Sequence, residues 1–253
     1  GSMLKVPGSM STNTGVAPQC RTLLAVAMYE WVAVTTSVPG PGPNAPPSTA
    51  FAEQQRPLLA AAKVVLAQLE SPVETIEAAL AIAREGGATT VLNAAPADAP
   101  SSIGLLKLAD VLTPNETEFA ALLGRHVGER IDADNVAALD GASLHALCRK
   151  LVGNGTVVVT LGAVGVFVSH DEDTLRGDTQ PYYRVGAEQV QVADTTGAGD
   201  AFNGALVASM AQDPGAAFAR HVRFANQFAG RSTEKEGAAV AMPHFTSADA
   251  QSA

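Results

Sequence analysis

The chain has 253 residues, 47% of them hydrophobic, and a formal charge of −9 from 16 Lys+Arg against 25 Asp+Glu. That length and apolar content suit one α/β domain, alone or with a small appendage. The acidic balance argues against a nucleic-acid partner, which would need clustered Lys and Arg, and no apolar run approaches the roughly 20 residues of a membrane span. The nearest run, 23–34, is broken by Tyr29, Glu30 and Trp31. Two cysteines, Cys20 and Cys148, lie far apart in sequence. They read as free thiols of a reducing compartment, the cytoplasm.

In chain order, Gly1-Ser2-Met3 and its repeat Gly8-Ser9-Met10 mark residues 1–13 as a tag-like, disordered start. Residues 14–48 read as an atypical N-terminal remnant. Within it Pro18–Val38 suggests a pair of strands, and residues 39–47, rich in Pro and Gly, suggest a rigid irregular linker. Regular structure is expected over 49–245. Phe51–Ala62 reads as a helix and Lys63–Leu69 as a buried strand. Pro72–Glu85 reads as a helix with Ser71 as N-cap and Gly86 past its end. Thr89–Asn93 and Ala109–Thr113 read as strands, Glu116–Leu123 as a helix stopped by Gly124, and Ala138–Val152 as a helix stopped by Gly153. Thr156–Leu161 and Gly165–Ser169 are β-branched strands, followed by helices at Ala198–Ala211 and Gly215–Gly230. Residues 246–253 form a small polar tail. Strands alternating with helices predict a mainly parallel sheet covered on both faces. Ligands of such sheets sit at the carboxyl ends of the strands, here at Glu70, Asn93, Asn115 and Gly162.

Four stretches carry chemistry. Asp194-Thr195-Thr196-Gly197-Ala198-Gly199-Asp200 runs straight into an apolar helical pattern. It builds a helix start with bare N–H groups, which attract anions with the help of the helix dipole. A carboxylate beside a bound anion is repelled unless it has a proton to take, so Asp200 reads as a base in phosphate chemistry. Thr113-Pro114-Asn115-Glu116-Thr117-Glu118 sets an amide and a carboxylate three apart at the next helix start. They can serve phosphate oxygens and hydrated Mg²⁺, or form an ordinary capping box. Thr160-Leu161-Gly162-Ala163-Val164-Gly165 permits close backbone approach to a flat ligand, or a plain hairpin turn. Glu70, closing an apolar strand, can accept from sugar hydroxyls, or be a solvated loop charge. No P-loop, dinucleotide fingerprint, His-Glu-x-x-His, Cys-x-x-Cys or Gly-x-Ser-x-Gly is present, and the histidines are scattered.

Together, Gln68-Leu69-Glu70-Ser71-Pro72, Leu92 through Ala97, Thr113 through Glu118, Thr160-Leu161-Gly162 and Asp194 through Leu206 resemble the ribokinase (PfkB) family of sugar and nucleoside kinases. The resemblance covers about residues 50–245 and implies a three-layer α/β/α sandwich with a mainly parallel sheet. It implies ATP-dependent phosphorylation of D-ribose to D-ribose 5-phosphate, with Mg²⁺ and a K⁺ activator. Asp200 would be the base; Gly197, Ala198 and Gly199 the anion hole. Asn115, Thr160, Leu161, Gly162, Ala163, Val164, Gly165, Gly199, Asp200 and Asn226 would line ATP. Glu70 would touch the sugar beside Asp200, and Glu118 would hold Mg²⁺ through water. Asp194, Thr196, Ser232, Lys235, Gly237 and Ala241 would form the monovalent-cation loop, although Ala241 stands where the family pattern often has serine. The family's early substrate-binding aspartate, its Gly-Gly-Lys-Gly-type sugar loop and its small β lid find no counterpart, so a chain lacking the usual N-terminal portion is expected. Family members pair through the lid, which leaves a homodimer open. Two alternatives remain: a nucleotide-binding protein without turnover, and a family relative such as a fructokinase or adenosine kinase.

Overall fold

The computed structural model describes residues 24–28, 32–36, 48–238 and 241–243. The tag-like start, the linker at 39–47, Cys20 and the tail fall outside the described residues. In chain order the elements are β1 Leu24–Met28, β2 Val32–Thr36, α1 Thr49–Gln54, α2 Arg56–Ala61, β3 Val64–Gln68, α3 Val73–Glu85, β4 Thr89–Asn93, α4 Ile103–Leu108 and β5 Val111–Leu112. There follow α5 Glu116–His126, α6 Ala133–Val136, α7 Gly141–Leu151, β6 Thr156–Thr160, β7 Val166–Ser169, β8 Tyr182–Val185, α8 Ala198–Gln212 and α9 Phe218–Ser232.

All eight described strands form one sheet, in the order β2-β1-β3-β4-β5-β6-β7-β8. Strands β3 to β6 are parallel, while β1, β2, β7 and β8 pair antiparallel at the two sides. The expected strand pair within 18–38 is therefore present as β1 and β2, and β1 lies antiparallel beside β3. Successive residues of a strand face opposite ways, and the core divides accordingly. Val65, Ala67, Leu92, Leu112, Val157 and Val159 pack with α1 to α7. Val64, Leu66, Val91, Val111 and Val158 pack with α8 and α9. The result is a three-layer α/β/α sandwich around a mixed sheet.

Several element boundaries depart from the sequence expectation. The helix expected over 51–62 is two helices breaking at Gln55. Pro57 has no N–H for the Glu53 carbonyl and its ring crowds that group, so the first helix ends and a second begins with Pro57 in its first turn. The cap of α3 is Pro72 rather than Ser71: its ψ of 133° is still extended, and its carbonyl accepts from Thr75 and Ile76. Gly124 does not stop α5, which runs to His126; Gly128, with φ of 78°, provides the left-handed exit instead. Asp140 accepts from the Ser143 N–H and starts α7 three residues later than expected. The short helices α4 and α6, capped by Ser102 and Asp132, and the edge strand β8 were not expected. The last helix begins at Phe218 rather than Gly215, because Asp178 accepts from the Ala219 N–H there.

Candidate active site

The ends of β3 and β5 meet the first turns of α8, where Gln68 bonds Asp200 and Thr113 bonds Asn203. The N-cap of α8, Gly197, has φ of 80° and offers no side chain to the first amides. A Cβ on Gly197 would also come within 2.9 Å of the Ala238 Cβ, so only glycine fits this start. The first intrahelical bond runs from Ala201 N–H to the Gly197 carbonyl. The expected anion hole is the amides of Gly197, Ala198 and Gly199, and the structure differs at Ala198. Ala198 N–H donates to the Thr195 carbonyl at 3.1 Å. The amides of Gly199 and Asp200 are those that helix geometry leaves without an intrahelical partner. Gly199 and Asp200 are exposed, and a Cβ built on Gly199 would meet nothing within 4 Å. Asp200 lies in this first turn.

Asp200 is not held by its helix alone. Gln68, the last residue of β3, donates its Nε2 to Asp200 Oδ1 at 3.0 Å. One turn on, buried Asn203 donates Nδ2 to the Gly199 carbonyl at 3.0 Å and accepts from Thr113 Oγ1 at 2.7 Å. Sequence reasoning missed Gln68, Thr113 and Asn203 as site residues. The available signal was strand alternation: Gln68 and Thr113 continue the face of Val64, Leu66 and Val111, which packs on α8 and α9.

Asn115 and Glu118 form a complete capping box. Glu118 N–H donates to Asn115 Oδ1 at 2.9 Å, Asn115 N–H to Glu118 Oε2 at 2.9 Å, and Asn115 Nδ2 to Glu118 Oε1 at 3.0 Å. Glu118 is only 6% exposed. Burial raises its pKa above the ordinary carboxylate value, against the opposing backbone hydrogen bond from Asn115. The capping role and a water-mediated metal role are compatible, since each carboxylate oxygen has further acceptor capacity.

The capping box lies beside the β6–β7 turn. Thr160 N–H donates to the Pro114 carbonyl, and Asn115 and Thr160 form a parallel bridge. Gly162–Val164 is a 3₁₀ turn joining antiparallel strands, so the hairpin reading of this stretch holds. Leu161 and Gly165 are buried, whereas Gly162, Ala163 and Val164 are exposed. Gly165, at φ of 105°, sits where an added Cβ would lie 2.1 Å from the Val185 carbonyl oxygen. Asn226 on α9 donates to the Gly186 carbonyl at 2.7 Å, while Glu70 is exposed just past β3.

The segment expected to form a cation loop is tied together by hydrogen bonds. Asp194 Oδ1 accepts from the Thr196 amide and hydroxyl, and Oδ2 accepts from Gly237 N–H at 2.9 Å. The Thr196 hydroxyl bond, then the Gly237 and Thr196 amides, hold the Asp194 carboxyl below its ordinary pKa. Ala193 and Asp194 N–H donate to the Thr233 carbonyl. The ligands expected from Ser232, Lys235 and Gly237 are backbone carbonyls; the Ser232 hydroxyl bonds to the Ala229 carbonyl, Lys235 is exposed, and Ala241 N–H donates to the Ala238 carbonyl. Among the described residues no cluster of three His, Cys, Asp or Glu side chains could hold a metal ion unaided, and no helix is long and apolar enough to cross a membrane.

A family model described as pfkB family carbohydrate kinase matches residues 11–244. The chain is 37% identical over 202 residues to the ribokinase of Haemophilus influenzae, covering 80% of this chain and 60% of that one. It is 32% identical over 213 residues to the ribokinase of Schizosaccharomyces pombe, covering 82% and 60%. Among solved structures it superposes on Arabidopsis thaliana ribokinase complexed with ribose and ATP with a TM-score of 0.62, at 25% identity over 76% of this chain and 56% of that one. The chain thus spans 60% of the length of both curated relatives.

Proposed function

The chain belongs to the pfkB family of carbohydrate kinases, and on that premise we propose that it transfers a phosphoryl group from ATP to the primary hydroxyl of D-ribose. One observation carries the chemistry: Asp200 stands in the first turn of a helix whose N-terminus is uncapped, exposed at Gly199 and entered through a left-handed glycine. The sugar class is supported by the similarity to two ribokinases and by Glu70, exposed just past the β3 end that bears Gln68. The catalytic and nucleotide-binding unit is residues 49–245. The free, buried thiol of Cys148 supports a cytoplasmic setting.

The residues present fit ATP with Mg²⁺. The helix start offers amides and a dipole to phosphate. Mg²⁺ typically keeps several waters and few protein carboxylates, which agrees with Glu118 as a water-mediated partner. When bound, ATP supplies the phosphoryl group and Mg²⁺ neutralises phosphate charge. Asp200 accepts the hydroxyl proton as the acceptor oxygen attacks, help typically worth ~10²–10⁴-fold. The Gly199 and Asp200 amides face the negative charge on the transferring group. Asn115, the turn from Thr160 to Gly165 and Asn226 would line the nucleotide. Asp194, Thr196 and Gly237 would serve a K⁺ site.

The test is ADP release by the purified chain with a panel of pentoses, hexoses and nucleosides, in K⁺ and in Na⁺. D-Ribose-dependent turnover that requires Mg²⁺, rises in K⁺ and is lost in Asp200→Ala is the expected result. ATP binding with no turnover on any sugar would refute the kinase reading, and a different preferred acceptor would refute the choice of ribose.

A further inference from the structure

Gln68 ends a strand whose other residues are all apolar, and the residue is only 8% exposed. A buried polar side chain at that place requires a partner. Its partner is the carboxylate of Asp200, 132 residues away in sequence, at 3.0 Å. The backbone on either side is fixed: Gln68 pairs with Asn93 of β4, and Leu69 N–H donates to the Ala95 carbonyl at 2.9 Å. The amide therefore approaches Asp200 from a rigid strand rather than from a loop.

We infer that Gln68 is a positioning residue for Asp200, holding Oδ1 so that Oδ2 is the oxygen presented to the acceptor hydroxyl. This rests on the reading of Asp200 as the base. A carboxylate is acceptor-only, so the primary amide is a neutral group that can donate to it without adding a charge beside the phosphate site. Without that bond, Asp200, exposed at a helix start, can rotate among staggered rotamers. Near-attack geometry is then lost for most of the population, although the helix itself is unchanged. The arrangement divides labour between two layers: α8 brings the base and the phosphate-facing amides, and β3 fixes the direction of the base.

Two measurements test this. In the first, Gln68→Met fills similar space without a donor, and Gln68→Glu keeps the length but opposes the carboxylate with a like charge. Both are expected to lower kcat by about 10- to 100-fold, the scale of a misplacement of up to 1 Å at a reacting group. The KM for ATP stays unchanged, and thermal unfolding of Gln68→Met stays close to that of the parent. Parental kcat in Gln68→Met would show that Gln68 merely fills space and would overturn the proposal. The second measurement needs no turnover. The Gln68 side-chain ¹⁵N–¹H₂ signals, assigned by their loss in Gln68→Met, should move in Asp200→Ala more than any other side-chain amide signals. If they stay in place, the contact does not exist and the proposal falls. A parent chain without sugar-dependent turnover would instead refute the base reading and the kcat expectation, leaving the contact to be decided by the spectrum.

Discussion

Asn203 ties the start of α8 to the sheet, and its replacement by leucine tests how firmly. The side chain is buried and bridges two groups, accepting from Thr113 Oγ1 at 2.7 Å and donating to the Gly199 carbonyl at 3.0 Å. Leucine has nearly the same shape, so the perturbation is chemical rather than steric. Two hydrogen bonds at a net 0.5–1.5 kcal/mol each give a loss of about 1–3 kcal/mol. The Thr113 hydroxyl keeps only a long contact of 3.4 Å to the Leu92 carbonyl, so little is recovered. At about 2–4 °C per kcal/mol for a domain of this size, a loss near 2 kcal/mol lowers the melting temperature by about 4–8 °C. Thr113→Val alone strands the Asn203 carbonyl oxygen and also destabilises. The double variant removes both polar partners, so it should cost less than the sum of the singles, with a coupling of at least about 0.5 kcal/mol. Calorimetric melts of the four proteins decide the matter. A melting temperature for Asn203→Leu within about 1 °C of the parent, or strictly additive singles, would refute the bridge as a stabilising element.

The glycines at the site separate stability from function. Gly165→Ala should cost about 3 kcal/mol or more in urea unfolding, because φ is 105° and the new Cβ would lie 2.1 Å from a backbone oxygen. Gly199→Ala should leave stability equal or raise it by up to about 1 kcal/mol, since alanine favours a helix. Nothing within 4 Å opposes its Cβ, and if the Gly199 amide serves the phosphoryl group, the added methyl beside it should lower ADP release. Burial lowers the pKa of both His170 and His221, against opposing influences from Asp178 on the first and Asp213 on the second. The unfolded chain therefore takes up protons first, and the stability these two confer is present above about pH 6.5 and lost as pH falls through their folded values. Melting temperature should drop between about pH 7.5 and 5.5, and a flat profile there would contradict the buried neutral state. Glu118→Gln keeps one acceptor for the Asn115 N–H but sets its own amide nitrogen against the Asn115 Nδ2 donor, so stability should fall by about 1 kcal/mol. The Mg²⁺ concentration for half-maximal ADP release should rise; an unchanged Mg²⁺ dependence would remove Glu118 from the metal site.

The parallel strands and the helix that carries Asp200 were legible because their signals are local. The β-branched run of β6 and the glycine entry to α8 need no distant partner to be recognised. Boundaries failed where two local signals competed. Pro57 could stand within one helix or begin another, and Gly124 was a reasonable stop until Gly128 proved to take the positive φ. The strand β8 was invisible for a different reason. Its four residues are only half-covered at an edge, so the alternation that marks a strand is weak, and its place depends on pairing with β7. Candidate site residues were legible where a motif spans a few positions, as in the Asn115–Glu118 box. Gln68 and Asn203 were not, because each is defined by a bond across more than 80 residues.

The same alternation that divides the core also selects which polar residues reach the site. Along β3, β4, β5 and β6, the residues Leu66, Val91, Val111 and Val158 pack against α8 and α9. Two residues further on, at the carboxyl end of each strand, the same face carries Gln68, Asn93, Thr113 and Thr160. All four are polar, and two of them bond directly to side chains of the first two turns of α8. On β3 and β5 the change from apolar to polar coincides with the start of α8, where Gln68 and Thr113 bond Asp200 and Asn203. Below it, the sheet face meets apolar side chains of the helix; above it, the face meets amides and a carboxylate that need polar neighbours. A polar residue one step earlier would enter the core without a partner, and an apolar one at the end would leave Asp200 and Asn203 unsupported. The strand length and the phase of its alternation thus fix the depth of the helix start, and with it the height at which the base stands above the sheet.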